Sequence, residues 1–408
     1  MKLYSAIAAL LASAFLLIAG NGLVSVLTPL RAKTEGFPEL AIGLLGSVYF
    51  GGMLAGTLAT SFIVARAGHI RAFSALVAGA VVAVILLPVM TQPLAWLILR
   101  GALGFVFAGL YAVIESWINA KATNANRGQL YGFYQIVAFA ASACGQLTLT
   151  FSYSAAAPFT GFILGGALLA LSTIPLALTN ADAPVPPRVV RMRLGWLIRI
   201  SPVGALAAFL VGATNGAYTA LGPVFALGVG LTLHTAPLFT TAVTLGSAIG
   251  VYPAGRLSDF IDRRAMIAGL SGVGAIFEIV LCLLRVGPGG IVGLGFLVGL
   301  TTFTLYTLAS SHANDRAKTH QTVLVSTGLL FLYCAGAIIA PTMAAGLMRV
   351  FGPGALYAQN ATAHVILAAF AFYRFLGVRP PREAREEPGP RLARLERPAE
   401  AGPGSPSQ

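Results

Sequence analysis

RGALGFVFAGLYAVIESWINAKATNANRG, Arg100 to Gly128, is the stretch whose reading decides the fold. Up to Asn119 it is almost wholly apolar apart from Arg100 and Glu115, and about 20 such residues form a helix that crosses a hydrocarbon core of roughly 30 Å. Its middle, LYAVIESWINA (110 to 120), returns as LYTLASSHAND (305 to 315). Leu110 matches Leu305, Tyr111 matches Tyr306, Ser116 matches Ser311 and Asn119 matches Asn314, each shifted by 195 positions. The stretch is both a membrane span and one copy of a repeated unit.

The same offset recurs toward the N-terminus. GNGLVSVLTPL carries Asn21, Gly22 and Pro29, and TNGAYTALGPV carries Asn215, Gly216 and Pro223, each shifted by 194. Between these anchors, apolar runs predict twelve spans, near 5–30, 40–63, 70–90, 94–118, 128–150, 158–179, 200–223, 234–254, 265–285, 289–311, 321–345 and 355–376. The expected fold is an all-α membrane protein of twelve transmembrane helices in two parallel six-helix repeats. Six is even, so both copies enter the bilayer in one orientation, related by an axis along the membrane normal.

Composition agrees. Of 408 residues, 57% are hydrophobic and 10% charged, too thin a polar coat for a soluble chain of this size. A net charge of +13 suggests nucleic acid in a soluble protein, but here the placement of charge decides. With the N-terminus inside, 21 of the 26 Lys and Arg fall on the cytoplasmic side, only Arg31, Lys33, Arg285 and Arg349 face out, and Arg100 lies within a span. This positive-inside bias puts both termini in the cytoplasm, as in a bacterial inner membrane, with no nucleic-acid partner. Lys2 and Ala12-Ser13-Ala14 permit a signal-peptide reading, but the run continues to Leu30, beyond a signal core of 7 to 15 residues. Trp96, Trp117 and Trp196 fall near span ends, where an aromatic belt is expected. Cys144, Cys282 and Cys334 offer neither a disulfide framework nor metal-ligand spacing.

The expected domains are a six-helix bundle at 1–179, a linker at 180–199, a second bundle at 200–376 and a disordered tail at 377–408. The joint NADAPVPPRVVRMRLGW (180 to 196) is rich in proline and then arginine and reads as a linker without a fold of its own. The tail mixes Pro, Gly, Arg and Glu with little apolar content. There is no Ser/His/Asp order, no His-Glu-x-x-His and no phosphate-cradling loop. An enzyme is not expected, nor a cofactor or metal, and transport is expected to draw on an ion or solute gradient.

Through these spans and repeats, the chain resembles the major facilitator superfamily of secondary transporters over about residues 1 to 376, and is most similar to its bacterial YcaD-like branch. GRLSDFIDRR resembles the family's cytoplasmic loop signature through Gly255, Leu257, Asp259, Arg263 and Arg264. The first-half loop GTLATSFIVARAGHIR keeps Gly56, Leu58, Arg66, Gly68 and Arg71 and lacks the Asp, whose place falls at Thr60 or Ala65. LRGALG, with Arg100 and Gly104, and GAIIAPTMAAG (336 to 346), around Pro341, resemble patterns of proton-coupled exporters.

Arg100, Gly104, Ala108, Tyr111 and Glu115 share one helix face, which a charge turns toward the bundle rather than lipid. Arg100 can tie neighbouring helices or meet a proton or anionic group. Asn21 and Asn215 read either as interhelical glue or as substrate contacts. Tyr111, Tyr218 and Tyr306 lie on helices that line the cavity in the family, which makes them substrate contacts or packing. Glu278 reads as bonded to a neighbouring helix or as a second titratable site. His312 and Asp315 lack a third metal ligand and read as a wet helix end.

Glu115 reads as a proton carrier, a substrate contact or a gate, and the resemblance implies the gate. Glu115 and Arg127-Gly128 resemble the Glu and Arg-Gly pair of sugar-transporting members, where the Glu meets arginines of the loop between helices two and three, here Arg66 and Arg71 around Gly68. Asp259 with Arg263, flanked by Gly255 and Arg264, is the implied latch of the second half. The expected protein is a monomeric secondary active transporter exporting a small molecule with protons. The alternatives are a lipid translocator and a membrane-embedded enzyme using the central crevice.

Overall fold

In the computed structural model, residues 2–121, 127–152, 157, 159–178, 193–283, 286–318 and 321–377 are described. Fifteen helices follow in order. The first half holds α1 (Lys2–Thr34), α2 (Glu39–Ala67), α3 (His69–Leu86), α4 (Pro93–Lys121), α5 (Arg127–Ser152), α6 (Thr160–Leu171) and α7 (Thr173–Ala177). After α8 (Leu194–Ile200) the second half holds α9 (Pro202–Gly228), α10 (Ala236–Leu257), α11 (Arg263–Leu283), α12 (Pro288–Thr302), α13 (Leu305–Asn314), α14 (Thr322–Phe351) and α15 (Ala355–Gly377). The chain is a multi-pass, all-helical membrane protein.

Eleven segments among the described residues are long and apolar enough to span a bilayer. Of these, 160–177 and 288–314 are each broken into two helices. The twelfth span is α5, whose apolar run is interrupted by Gln135, Ser142 and Gln146. These three are seven and four residues apart, hence on one helix face, and that face turns inward rather than to lipid.

The break between α12 and α13 has a local cause in the run Thr301-Thr302-Phe303-Thr304. The hydroxyls of Thr301, Thr302 and Thr304 turn back on the carbonyls of Leu297, Val298 and Thr301, competing with the helix ladder. The repeat also shows in packing. A methyl group at Gly52 or Gly104 would overlap the carbonyl oxygen of Gly101 or Tyr49, closing α2 on α4. In the second half, Gly246 and Gly299 stand against the carbonyls of Phe296 and Val243, closing α10 on α12. Gly52 and Gly246 differ by 194 and Gly104 and Gly299 by 195, the offsets of the repeated sequence.

Three expectations change. Residues 194–199, the end of the expected linker, belong to α8, which tucks Leu197 under Gly328 of α14; residues 179–192 and the tail beyond Gly377 lie outside the described residues. Trp96 and Trp117 are fully buried, Trp96 packing on Phe37 and Phe162, so neither ring sits in a headgroup belt. Gly56 is not a loop residue. It lies inside α2 against the carbonyl of Phe105 and pairs by symmetry with Gly250. The loop register therefore follows the 194 offset, and Ala65, not Thr60, stands where Asp259 stands in the second half.

The two halves meet mainly through α2 with α14 and α5 with α10. One end of the molecule carries the α2–α3 and α10–α11 turns and is here the signature end; the far end carries the α1–α2 and α9–α10 turns. Crossing hydrogen bonds lie toward the far end: Ser47 to Thr342 at 2.7 Å, Thr244 to Gln146 at 3.1 Å and His234 to the Thr150 carbonyl at 3.2 Å. Gly43 and Gly46 there press on Ala345, Pro341 and Ala220.

The glycine seams set a test. Replacing an exposed helical Gly by Ala stabilises by about 1 kcal/mol, whereas overpacking a tight seam costs about 1–3 kcal/mol. Gly52→Ala is expected to lower the thermal unfolding midpoint of the purified protein by several degrees. Gly51→Ala, where nothing lies within 4 Å of the new methyl, is expected to leave it unchanged or raise it. Equal effects would remove the seam from the account.

Candidate functional site

Between the halves lies a cavity of about 320 Å³. Asn21 and Ser25 of α1, Tyr111 of α4, and Gln135, Ser142 and Gln146 of α5 supply its first-half polar lining. Tyr218 and Thr219 of α9 and Thr244 and Ser247 of α10 supply the second. Phe139 and Phe303 add aromatic surface, Phe303 from the break between α12 and α13. Among the described residues, none of the lining side chains is charged. A larger hollow of about 1000 Å³ lies off axis near the far end of the second half. Its wall is mostly apolar, with Gln359 and Thr362 the main polar side chains, so convergent polar chemistry favours the central cavity as the site.

Asn21 Nδ2 donates to the Tyr111 hydroxyl at 2.7 Å. Tyr49 stands next to the same Asn21, and its ring carries the Arg100 guanidinium 4.3 Å from its centroid. Arg100 is only 4% exposed, and its Nε and Nη1 have no hydrogen-bond partner. The structure thus sets Arg100 one layer behind the cavity, joined to it through Tyr49 and Asn21 in a cation–π stack worth most where water is excluded.

Of the six expected substrate contacts, Asn21, Tyr111 and Tyr218 share the cavity wall. Asn215 is buried beside Tyr333, and Tyr306 packs edge-on against Tyr333 at 5.2 Å between centroids. Sequence reading missed Gln135, Ser142, Gln146 and Thr244. The spacing of the first three on α5 was the available signal.

At the signature end, Arg66 and Arg71 are exposed on either side of Gly68, which turns the chain with φ +80°, a conformation glycine adopts without a steric cost. Glu115 lies deep between the halves yet is reached by solvent, near enough to Tyr134 and Tyr306 to act on them electrostatically. It makes no ion pair with Arg66 or Arg71. The Arg127 side chain lies outside the described residues.

In the second half, Arg263 reaches Asp259 at 3.7 Å and Asp315 at 3.1 Å, tying the start of α11 to the end of α13. His69 Nε2 and Ser116 Oγ, 3.1 Å apart, make the corresponding tie between α3 and α4. Gly255 lies in the last turn of α10 with open space where a Cβ would sit. Arg264 is buried and donates to Asp262 and to the carbonyl of Arg374, pinning α15 to this corner. Asp262 also caps α11 by accepting from the Arg264 backbone N–H at 2.8 Å. The Arg264 side-chain hydrogen bonds hold the Asp262 carboxyl below its usual range. Its stabilisation is therefore fully present above the ordinary carboxylate pKa and is lost as pH falls through the depressed value.

Two bundles of six spans around a polar cavity, tied at one end and carrying charged loop turns at the other, are the architecture of secondary membrane transporters built from two parallel repeats. The sequence profile of the Major Facilitator Superfamily matches residues 10–238 and 204–403, and the chain belongs to that family. It is 25% identical over 387 residues to an uncharacterised MFS-type transporter of Enterobacter sp. strain 638, covering 93% of this chain and 96% of that one. It is 26% identical over 371 residues to the uncharacterised MFS-type transporter YcaD of Escherichia coli strain UMN026, covering 88% and 92%. Among solved structures it is similar to the nucleoside transporter NupG, at TM-score 0.74 and 13% identity over 93% of this chain and 100% of that one. It is also similar to a bacterial homologue of the human lysosomal transporter Spinster in an inward-facing, unoccupied conformation, at TM-score 0.73 and 15% identity, covering 92% and 96%.

The Arg263 corner yields a graded prediction. Exposed ion pairs contribute about 0.2–1 kcal/mol, and the shorter contact is expected to dominate. In double-mutant cycles read by thermal unfolding, Arg263→Gln is expected to couple more strongly to Asp315→Asn than to Asp259→Asn. The reverse order would show that Asp259 is the main partner.

Proposed function

We propose that the protein is a proton-coupled exporter of a small, uncharged, hydrogen-bonding solute, working as a monomer in a bacterial inner membrane with both termini in the cytoplasm. The observation that carries this reading is the central cavity, closed by crossing contacts toward the far end and lined from both halves by amides and hydroxyls without a charge. A cavity without a fixed cation gives an anion nothing to offset its desolvation, which favours a neutral solute. The positive-inside bias supports a cytoplasmic signature end, so the arrangement is open to the cytoplasm and shut to the outside. Export is supported by the resemblance of LRGALG and of the small-residue run around Pro341 to exporter patterns.

Glu115 acts as a gate. Exposed and apart from Arg66 and Arg71, it has the geometry of a parted latch. Closure of the signature end brings it against those arginines, with Arg127 close in sequence, where a drier setting strengthens each pair and stabilises the closed state. Asp259, Arg263 and Arg264 brace the second-half side of the same end. Arg100 acts through Tyr49 on Asn21, orienting a substrate contact without touching the solute.

A thermal-shift screen of neutral metabolites, followed by uptake into proteoliposomes under an imposed pH gradient, tests this reading, since ligands of the folded state raise its apparent stability. Hits are expected among uncharged solutes, and Gln146→Ala is expected to weaken them about tenfold, the loss of one to two hydrogen bonds. Glu115→Gln is expected to keep binding but leave the cavity accessible from the cytoplasm. Hits confined to organic anions, or normal accessibility and accumulation in Glu115→Gln, would overturn the solute class and the gate respectively.

A further inference from the structure

Glu278 of α11 and His364 of α15 form a buried polar pair outside the central cavity. His364 Nδ1 and Glu278 Oε2 are 2.7 Å apart, with side chains 0% and 1% exposed. As helix glue the pair is expensive, because removing a carboxylate from water costs several kcal/mol even after relaxation. Toward the signature end the same two helices are joined without a buried carboxylate, through Ile267, Leu367 and Ala371 and by Arg264 donating to the Arg374 carbonyl. An ionisable group kept at this depth calls for a function.

A second observation links the pair to the substrate space. A hollow of about 10 Å³ lies against Glu278, bounded by Asn215 and Tyr218 of α9, Thr302 of α12, Phe303, and Tyr357 and Asn360 of α15. Its volume is about what one water needs. Tyr218 and Phe303 line the central cavity as well, so one layer of side chains separates the acid from the solute. The Tyr357 hydroxyl, Asn360 Oδ1 and His364 Nε2 are buried without a protein partner. Asn360 Nδ2 donates to the Thr214 carbonyl at 3.4 Å and the Tyr218 hydroxyl to the Thr240 carbonyl at 3.3 Å. The ionisable groups facing the hollow are Glu278, Tyr218 and Tyr357, with His364 behind Glu278; α12 contributes none and no lysine or arginine lines it.

We propose that Glu278 and His364 form a proton-binding site of the transport cycle, loaded and unloaded through the central cavity past Tyr218. The proposal rests on the transporter reading above and gives its coupling proton a place apart from the solute. With neutral His364 donating its Nδ1–H to the carboxylate, the pair carries one negative charge. A hydronium in the cavity gives up one proton and becomes water, and the pair becomes net neutral; return of that proton to a water restores the charge. An unneutralised charge among membrane helices is costly. The unloaded pair therefore favours the open state, in which water approaches Tyr218, and the loaded pair permits closure.

The test uses the full chain in liposomes, with Cys144, Cys282 and Cys334 replaced by alanine. Infrared difference spectra between about pH 5 and about pH 8, the range in which histidine-linked groups titrate, are expected to show a carboxyl band that is absent in Glu278→Gln. Should Glu278→Gln fold poorly, His364→Gln keeps the acid and is expected to move the midpoint of that band. Spin labels at exposed Phe62 and Val323, one on each half, report the opening of the signature end. Their distance distribution is expected to change with pH in the parent and to be indifferent to pH in Glu278→Gln. A band unchanged by Glu278→Gln, or distances that follow pH equally in both proteins, would overturn the proton site while leaving alternating access intact. Distances fixed under every pH and with every solute bound would instead count against the transporter reading itself.

Discussion

Backbone-to-backbone contact at glycine is the constraint on which the rest of this molecule depends. Lipid tails are as apolar as leucine, so helices in a bilayer associate by close packing rather than by escape from water. The seams of α2 with α4 and of α10 with α12 reach that closeness only because Gly52, Gly104, Gly246 and Gly299 present no side chain to a facing carbonyl. Gly22 and Gly145 do the same for α1 with α5, and Gly212 and Gly336 for α9 with α14. Each half is stiffened by such contacts. The boundary between the halves combines glycine packing confined to the far end, at Gly43 and Gly46, with hydroxyl and amide pairs such as Ser47 with Thr342 and Gln146 with Thr244, which water can replace at little cost. Stiff bundles joined by an exchangeable boundary are what rocking requires.

The spans, the repeat and its orientation were legible in the sequence because they rest on local composition and on a fixed offset. The offset also held the register of the loop signature, but the match of Gly56 and Leu58 to the motif letters led away from it. Gly56 serves the α2–α4 seam, and a glycine kept for packing is indistinguishable, in one sequence, from a glycine kept for a turn. Of the cavity-lining residues, Asn21 and Tyr111 lie on repeated anchors, whereas Gln146 and Thr244 lie on unmatched positions and needed the helix face of α5 to be read as a cavity wall. The partner of Glu278 had no local signal, since His364 is 86 residues away.

The halves resemble each other in backbone more than in charge. Where the second half ties α11 to α13 with Arg263 and Asp315, the first ties α3 to α4 with His69 and Ser116. Ala65 replaces the loop acid, and Gly68 stands opposite Asp262 by the same offset. The second-half corner is therefore locked by its own ion pairs, while Arg66 and Arg71 of the first stay exposed. Under the proposed gate, this asymmetry leaves the first-half side to engage and release Glu115 and keeps the other as its fixed frame.

An uncharged cavity also limits how an ion can be coupled to a solute. Where both meet one charged side chain, they compete electrostatically and exclude each other. Among the described residues nothing charged lines this cavity, so a proton coupled as proposed influences the solute through geometry, by favouring a conformation in which the wall fits or fails to fit. Tyr218 is placed for that. It faces the solute space on one side and the hollow beside Glu278 on the other, and its ring is fixed between Phe239 and Phe303 at 6.4 and 5.5 Å. Phe303 in turn sits at the break between α12 and α13. A shift of Tyr218 therefore acts on Phe303 at the helix break, where the threonine hydroxyls compete with the span's own hydrogen-bond ladder.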